Sequence, residues 1–201
     1  MFAIIQAAGW PIWPLLLASV IALALIIERF VSLRDRKILP PLLLEEAVAV
    51  YRRQGVDEDM LAKLAKDSPL GTVLAAGLRN HRSSRYVMKE AIDEAGRAMA
   101  HDLERFLTTL GTIATAAPLL GLFGTVIGMI EIFGSQTAAG SNPIQLAHGI
   151  SVALYNTAYG LIVAIPSMAF YRHFRRRIDE LVLEMETQAI KLVEVANQER
   201  R

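Results

Sequence analysis

Three stretches of the chain hold no Lys, Arg, Asp or Glu: Met1–Ile27, Phe106–Ile130 and Ile132–Tyr171. About 20 residues at about 1.5 Å rise per residue cross about 30 Å of hydrocarbon, so each stretch is long enough for a membrane helix. The pattern predicts spanning helices over residues 1–31 (apolar core Trp10–Val31), 106–133 and 150–171. Residues 32–105 are mixed and charged. Leu42–Tyr51, Met60–Leu64 and Leu70–Leu78 show short helical repeats, broken at Gly55 and at Ser68-Pro69. Pro40-Pro41 closes any helix continuing from the first span. Ser84 is placed to cap a longer helix through Met88, Ile92, Met99, Leu103 and Phe106 into the second span. A polar, glycine-bearing link covers residues 134–149. In the tail, residues 172–201, Ile178, Leu181, Met185, Leu192 and Val195 recur at helical spacing. Such an amphipathic helix suits packing beside a copy of itself or against the protein's own middle region. No segment alternates strictly enough to be a strand. The expected fold class is an all-α integral membrane protein with three transmembrane helices and helices extending into the cytoplasm.

Composition agrees with a membrane class: 53% of the 201 residues are apolar. The net charge of +1 says little as a total; its distribution sets the topology. Arg34, Arg36 and Lys37 follow the first span, Arg97 and Arg105 precede the second, and Arg172, Arg175, Arg176 and Arg177 follow the third, while no Lys or Arg separates the second from the third. The positive-inside rule puts the N-terminus outside and residues 32–105 and 172–201 in the cytoplasm. Trp10 and Trp13 mark the outer interface, where indole rings concentrate. The first block has no basic leader and no small-residue cleavage site, so it reads as a retained anchor. There are no cysteines, which excludes disulfides and thiolate metal sites. No nucleophile elbow, HExxH pair, phosphate-cradling loop with a lysine or Cys/His cluster occurs, and His81, His101, His148 and His173 are scattered. The expectation is a non-enzyme with no catalytic residue, metal or cofactor. The Arg172–Arg177 cluster beside a span reads as a topology determinant and a membrane-lipid anchor, not a nucleic-acid surface.

The spans themselves are polar in a patterned way. Gly121, Gly124 and Gly128 form a small-residue stripe in the second, continued by Gly111 and Ala114. Gly149, Ala153, Gly160 and Ala164 offer the same in the third. Such stripes let helix backbones approach closely where lipid gives no hydrophobic drive. Thr108, Thr109, Thr112, Thr115 and Thr125 lie in the second span, and Ser151, Tyr155, Asn156, Thr157 and Tyr159 in the third. An asparagine amide cannot satisfy itself within one helix, so Asn156 should face a bundle interior or water. In antiparallel helices Thr125 and Thr157 fall in the same outer half and would line one polar level. Hydroxyls bonded to their own backbones remain the alternative. Neither span places an acid within the hydrocarbon; Glu131 sits at the outer end of the second and His148 beyond the third, both readable as interfacial residues. Pro166 frees the Ile162 carbonyl, which gives a polar contact or a bend. The chain reads as a sleeve for an ion pathway, with the titrating acid supplied by a partner.

The run Ala117-Pro118-Leu119-Leu120-Gly121-Leu122-Phe123-Gly124-Thr125-Val126-Ile127-Gly128, with Gly149-Ile150-Ser151, Thr157-Ala158-Tyr159-Gly160-Leu161 and Ala164-Ile165-Pro166, resembles the MotA/TolQ/ExbB proton channel family, its ExbB/TolQ branch in particular. The resemblance implies a bacterial inner-membrane homo-pentamer around a dimer of a single-span ExbD/TolR-like subunit that carries a membrane aspartate. It also implies ion-driven mechanical work passed to the envelope, with a TonB-like protein as a further partner. It puts the pore-lining roles on Thr125 and Thr157, with Asn156 and Tyr155 as polar support. Gly121, Gly124, Gly128 and Gly160 fall to helix packing. Many relatives carry a glutamate where this chain has Val152, and the Tyr155-Asn156-Thr157 surface would do part of that work. The runner-up function is a structural scaffold that recruits partners through its cytoplasmic helices.

Overall fold

The computed structural model describes residues 9–134 and 143–198. Parts of the expected N-terminal anchor, the link and the tail therefore lie outside the described residues. Among those described there are eight helices and no strand: α1 (Ile12–Ser32), α2 (Asp35–Ile38), α3 (Leu43–Gln54), α4 (Glu58–Asp67), α5 (Pro69–Arg79), α6 (Arg85–Glu104), α7 (Leu107–Gly134) and α8 (Pro143–Gln198). Helices α1, α7 and the apolar part of α8 are each long and apolar enough to cross a membrane. The chain divides into two compact units, residues 1–28 with 106–173, and residues 29–105 with 174–201.

The first unit is built from the three apolar helices. Its core gathers Leu15, Ala117, Val163 and Ala164, with Ile113, Leu120 and Tyr159 packed against them. The Ser19 and Tyr159 hydroxyls approach to 3.4 Å, and Trp10 meets Phe123 edge-on. Leu17, Val20, Leu23 and Ile27 of α1 are exposed, as are Leu119, Leu122, Val126 and Ile130 of α7 and Ile162 and Ile165 of α8. An apolar exterior of this extent suits lipid or neighbouring subunits, not water. Proline at 118 and 166 sits inside α7 and α8. Beside Pro166 the Ser167 hydroxyl donates to the Val163 carbonyl at 2.7 Å, so a side chain engages the backbone in the turn that proline weakens.

The second unit is a small helical bundle with conventional signals at its helix ends. The Ser68 hydroxyl accepts from the Gly71 amide at 3.1 Å and Pro69 occupies the first turn of α5. Ser84 caps α6 through the Val87 amide at 3.3 Å. Gly55 ends α3 at φ +76°, a conformation that suits glycine. The core joins Leu70, Val73, Leu74, Leu78, Met88 and Ile92 to Ile178, Leu181, Met185, Leu192 and Val193 of α8, all buried. At Gly77 a Cβ would stand 3.1 Å from Ile92 and 3.9 Å from Val193. The apolar stripe of the tail is thus covered by the chain's own middle helices. Of the two surfaces the sequence offered it, the chain's own middle region covers Ile178, Leu181, Met185 and Leu192, while Val195 stays half-buried.

Two helix boundaries differ from expectation. The helix capped by Ser84 does not run into the second span, because a turn at Arg105 and Phe106 separates α6 from α7. In an unbroken helix the Leu103 carbonyl would accept from the residue-107 amide. Here the buried Arg29 guanidinium, 4% exposed, donates to that carbonyl at 2.8 Å, which stabilises the helix end that the turn leaves open. In contrast, α8 starts at Pro143 and continues past Tyr171 to Gln198 without a break. Arginines and glutamates are good helix formers, and Arg176 pairs with Glu180 one turn on at 3.0 Å.

Glu186 of α8 lies against Gly96 of α6, where a Cβ would stand 2.5 Å from its Oε1. Partial burial, then the nearby Asp93, push its carboxyl above the usual 4.5, against the opposing charge of Arg97. A carboxyl raised in the folded state opposes folding once ionised, and that cost disappears as pH falls below its unfolded value. Glu186→Gln is therefore expected to raise the thermal midpoint near pH 7 and to give little gain near pH 4. An unchanged midpoint near pH 7 would contradict this assignment.

Candidate functional site

The site begins with the glycines that bring α7 and α8 together. A Cβ at Gly121 would stand 2.7 Å from the Asn156 carbonyl oxygen and 3.0 Å from the Thr157 Cα. At Gly160 it would stand 2.6 Å from the Ala117 carbonyl oxygen, at Gly124 2.8 Å from Cβ and Cγ of Asn156, and at Gly128 2.9 Å from the Ala153 Cβ. These positions have no room for a side chain, and all four press on backbone or on a β-carbon. Dispersion across such a seam is what holds helices together in lipid.

The close approach sets the chemistry. Thr125 Oγ1 and Thr157 Oγ1 are 2.5 Å apart. Thr157 Oγ1 also reaches the Gly121 carbonyl at 3.1 Å, while Thr125 Oγ1 lies 3.2 Å from both the Gly121 and Ala153 carbonyls. Each hydroxyl has one proton and two acceptor lone pairs. Two protons thus face four oxygens, and two arrangements are consistent. Either Thr125 donates to Thr157, which donates to the Gly121 carbonyl, or Thr157 donates to Thr125, which donates to a carbonyl. Switching between them moves both protons with little movement of the oxygens. Neither hydroxyl titrates near neutral pH, so the pair can solvate or relay a proton but cannot hold a charge.

Asn156 is 1% exposed and its carboxamide carbon lies over Gly124. Tyr155 is 41% exposed and makes no hydrogen bond to Thr125, Asn156 or Thr157 among the described residues. The structure gathers Thr125, Thr157, Asn156, Gly121, Gly124 and Gly160 in one seam and leaves Tyr155 outside it. A cavity of about 390 Å³ opens where α7 ends and α8 begins, lined among others by Gly128, Glu131, His148, Val152 and Asn156. Sequence reasoning treated Glu131 and His148 as separate interfacial residues. Their shared cavity follows from register: Glu131 sits just under two turns from Thr125 and His148 about two and a half turns from Thr157, both toward the same link. The threonines at positions 112 and 115 instead bond carbonyls of their own helix at 2.9 and 3.1 Å.

Comparison with known proteins gives a consistent picture. The profile of the MotA/TolQ/ExbB proton channel family matches residues 65–187. The chain is 34% identical over 175 residues to a putative biopolymer transport protein, ExbB-like 3, of Synechocystis, covering 85% of this chain and 82% of that one. It is 31% identical over 174 residues to biopolymer transport protein exbB1 of Vibrio cholerae (82% and 74% covered). It is 32% identical over 145 residues to the Tol-Pal system protein TolQ of Pseudomonas aeruginosa (66% and 60%).

If the seam holds the site, adding one methyl group there should be felt. Gly160→Ala is expected to cost about 1–3 kcal/mol by overpacking, read as a lower thermal midpoint in mild detergent. Gly134→Ala, where nothing lies within 4 Å of the added carbon, should have no such effect. Equal midpoints for the two variants would contradict the close approach.

Proposed function

The chain belongs to the MotA/TolQ/ExbB proton channel family of bacterial inner-membrane proteins, and on that premise we propose that it is the ion-conducting subunit of an ExbB–ExbD/TolQ–TolR-like motor. Ion-motive force, probed first as a proton gradient, is converted there into mechanical work delivered to the envelope. Five copies surround a dimer of a single-span ExbD/TolR-like subunit, with the N-terminus periplasmic and the C-terminus cytoplasmic. A TonB-like protein or an outer-membrane transport system receives the work.

The observation that carries this reading is the Thr125–Thr157 hydroxyl pair at 2.5 Å, set in spans without an acid in the hydrocarbon. Neutral hydroxyls lower the barrier to a proton without trapping it. A carboxylate from a partner helix is the group that must pick the proton up and release it. On approaching the seam, that carboxylate competes with the Gly121 and Ala153 carbonyls for the two hydroxyl protons. A charge-assisted bond is about twice as strong as a neutral one, so the ionised acid wins and the protonated acid does not. Each protonation event thereby changes how tightly the partner helix is held, which couples ion passage to movement. Asn156 fixes the approach of the helices from its buried position, and Tyr155 faces a neighbouring subunit or lipid.

A scaffold reading has one observation in its favour: both hydroxyls find acceptors within the chain, as a purely structural clasp would. The two readings separate on Thr157→Val, which keeps shape and removes the hydroxyl. Losing one such bond costs only about 0.5–1.5 kcal/mol, so the complex should still assemble. Proton flux in proteoliposomes holding the complex should fall to background, and the chain without its acid-bearing partner should conduct poorly. Full flux in the variant, or robust conduction by the isolated chain, would refute the proposal.

A further inference from the structure

The arginines after the third apolar block look from sequence like a single lipid anchor, and the structure divides them. Arg175 pairs with Glu104 at 3.5 Å, Arg176 with Glu180 at 3.0 Å, and Arg177 with Glu180 at 3.2 Å and with Asp35. Their charge is answered by protein carboxylates. Uncompensated charge remains at the end of α1. Arg34 and Arg36 are exposed, and their guanidiniums make no hydrogen bond or ion pair among the described residues. With Leu33, Asp35 and Arg177 they line a cavity of about 520 Å³. Asp35 is already engaged by Arg177, so the two free guanidiniums are left without a counter-ion on the protein.

The depth of this cavity is set by chain arithmetic. Arg34 follows Ile27, the last residue of the first uncharged block, by seven positions, and Arg177 follows Tyr171 by six. At about 1.5 Å per helical residue the two α-carbons lie about 9–11 Å beyond the ends of those uncharged blocks. The headgroup layer is roughly 5–8 Å thick on each side, and an arginine stem reaches back toward it. Two independent segments therefore bring guanidiniums to the phosphate level of one leaflet. Leu33, itself 6% exposed, adds an apolar wall on the side nearest the span. A guanidinium fork matches a phosphate oxygen pair, and two forks converging on one cavity exceed what a diffuse basic surface offers.

We propose that the cavity formed by Leu33, Arg34, Arg36 and Arg177 binds the phosphodiester headgroup of an anionic phospholipid, with Arg34 and Arg36 as the contacting cations and the Asp35–Arg177 pair as the fixed wall. The site holds the end of α1 to the membrane surface. It does not depend on ion conduction, so it stands or falls separately from the function proposed above.

The test uses the full chain in neutral detergent and reads its thermal midpoint against added phosphatidylglycerol, phosphatidylcholine or inorganic phosphate. Phosphatidylglycerol is expected to raise the midpoint of the natural chain, and the other two to leave it unchanged. In R34Q/R36Q the phosphatidylglycerol shift should vanish. It should persist in R175Q/R176Q, which removes equal charge from paired positions. R34K/R36K should retain part of it, showing that the glutamine variant lost charge and not fold. An undiminished shift in R34Q/R36Q, or equal loss in both glutamine variants, would overturn the site. A full shift with inorganic phosphate would overturn its assignment to lipid.

Discussion

The rest of the structure depends on how closely α7 and α8 approach. In a bilayer the hydrophobic effect cannot drive two apolar helices together, because lipid is as apolar as leucine. What remains is short-range dispersion, which requires contact, and contact requires residues without side chains at the crossing. Gly121, Gly124, Gly128 and Gly160 supply it, each at a place where a single carbon would meet the opposite helix within about 3 Å. The hydroxyl pair is a consequence of that geometry. Were the helices separated by the width of ordinary side chains, Thr125 and Thr157 would each bond back to their own helix, as Thr112 and Thr115 do.

A second constraint acts at the membrane edge, where charge has to be placed and answered. Arg29 is drawn inward to the Leu103 carbonyl and supports the end of α6. Arg175, Arg176 and Arg177 are tied to acids. Arg34 and Arg36 are left to the surroundings. Residues of one chemical type thus hold three different positions, as helix cap, ion-pair partner and free cation, and only the structure separates them. The same sorting applies to the acids: Glu180 is held below its ordinary range by Arg176 and Arg177, whereas Glu186 is pushed up by burial beside Asp93.

Much of this was legible in the chain. The three uncharged blocks located α1, α7 and the apolar part of α8, because hydropathy over about 20 residues is a strong signal. Ser84 and Ser68-Pro69 were readable as helix starts because capping is local chemistry. The glycine stripe was readable as a seam because its period is that of a helix face. What escaped was everything that depends on a distant partner. The tail stripe had the right period for either a copy or the chain's own bundle, and periodicity cannot say which surface covers it. The turn at Arg105 and Phe106 carries no proline or glycine, and the Arg29 guanidinium that meets the Leu103 carbonyl beside it is far away in sequence. Tyr155 looked equivalent to Asn156 and Thr157 because all three are polar and adjacent; that it is 41% exposed while Asn156 is buried depends on which face of α8 its partner helix covers.

The central claim is that the Thr125–Thr157 level is wetted in the assembled complex while the outer face of α1 is not. The natural chain has no cysteine, so a single introduced thiol reports without background. The most direct measurement is the rate at which a small, water-soluble thiol reagent modifies Thr125→Cys, Thr157→Cys and Val20→Cys in the complex reconstituted in liposomes. The account expects rapid labelling at 125 and 157 and none at 20. Labelling at 20 with none at 125 and 157 would contradict it.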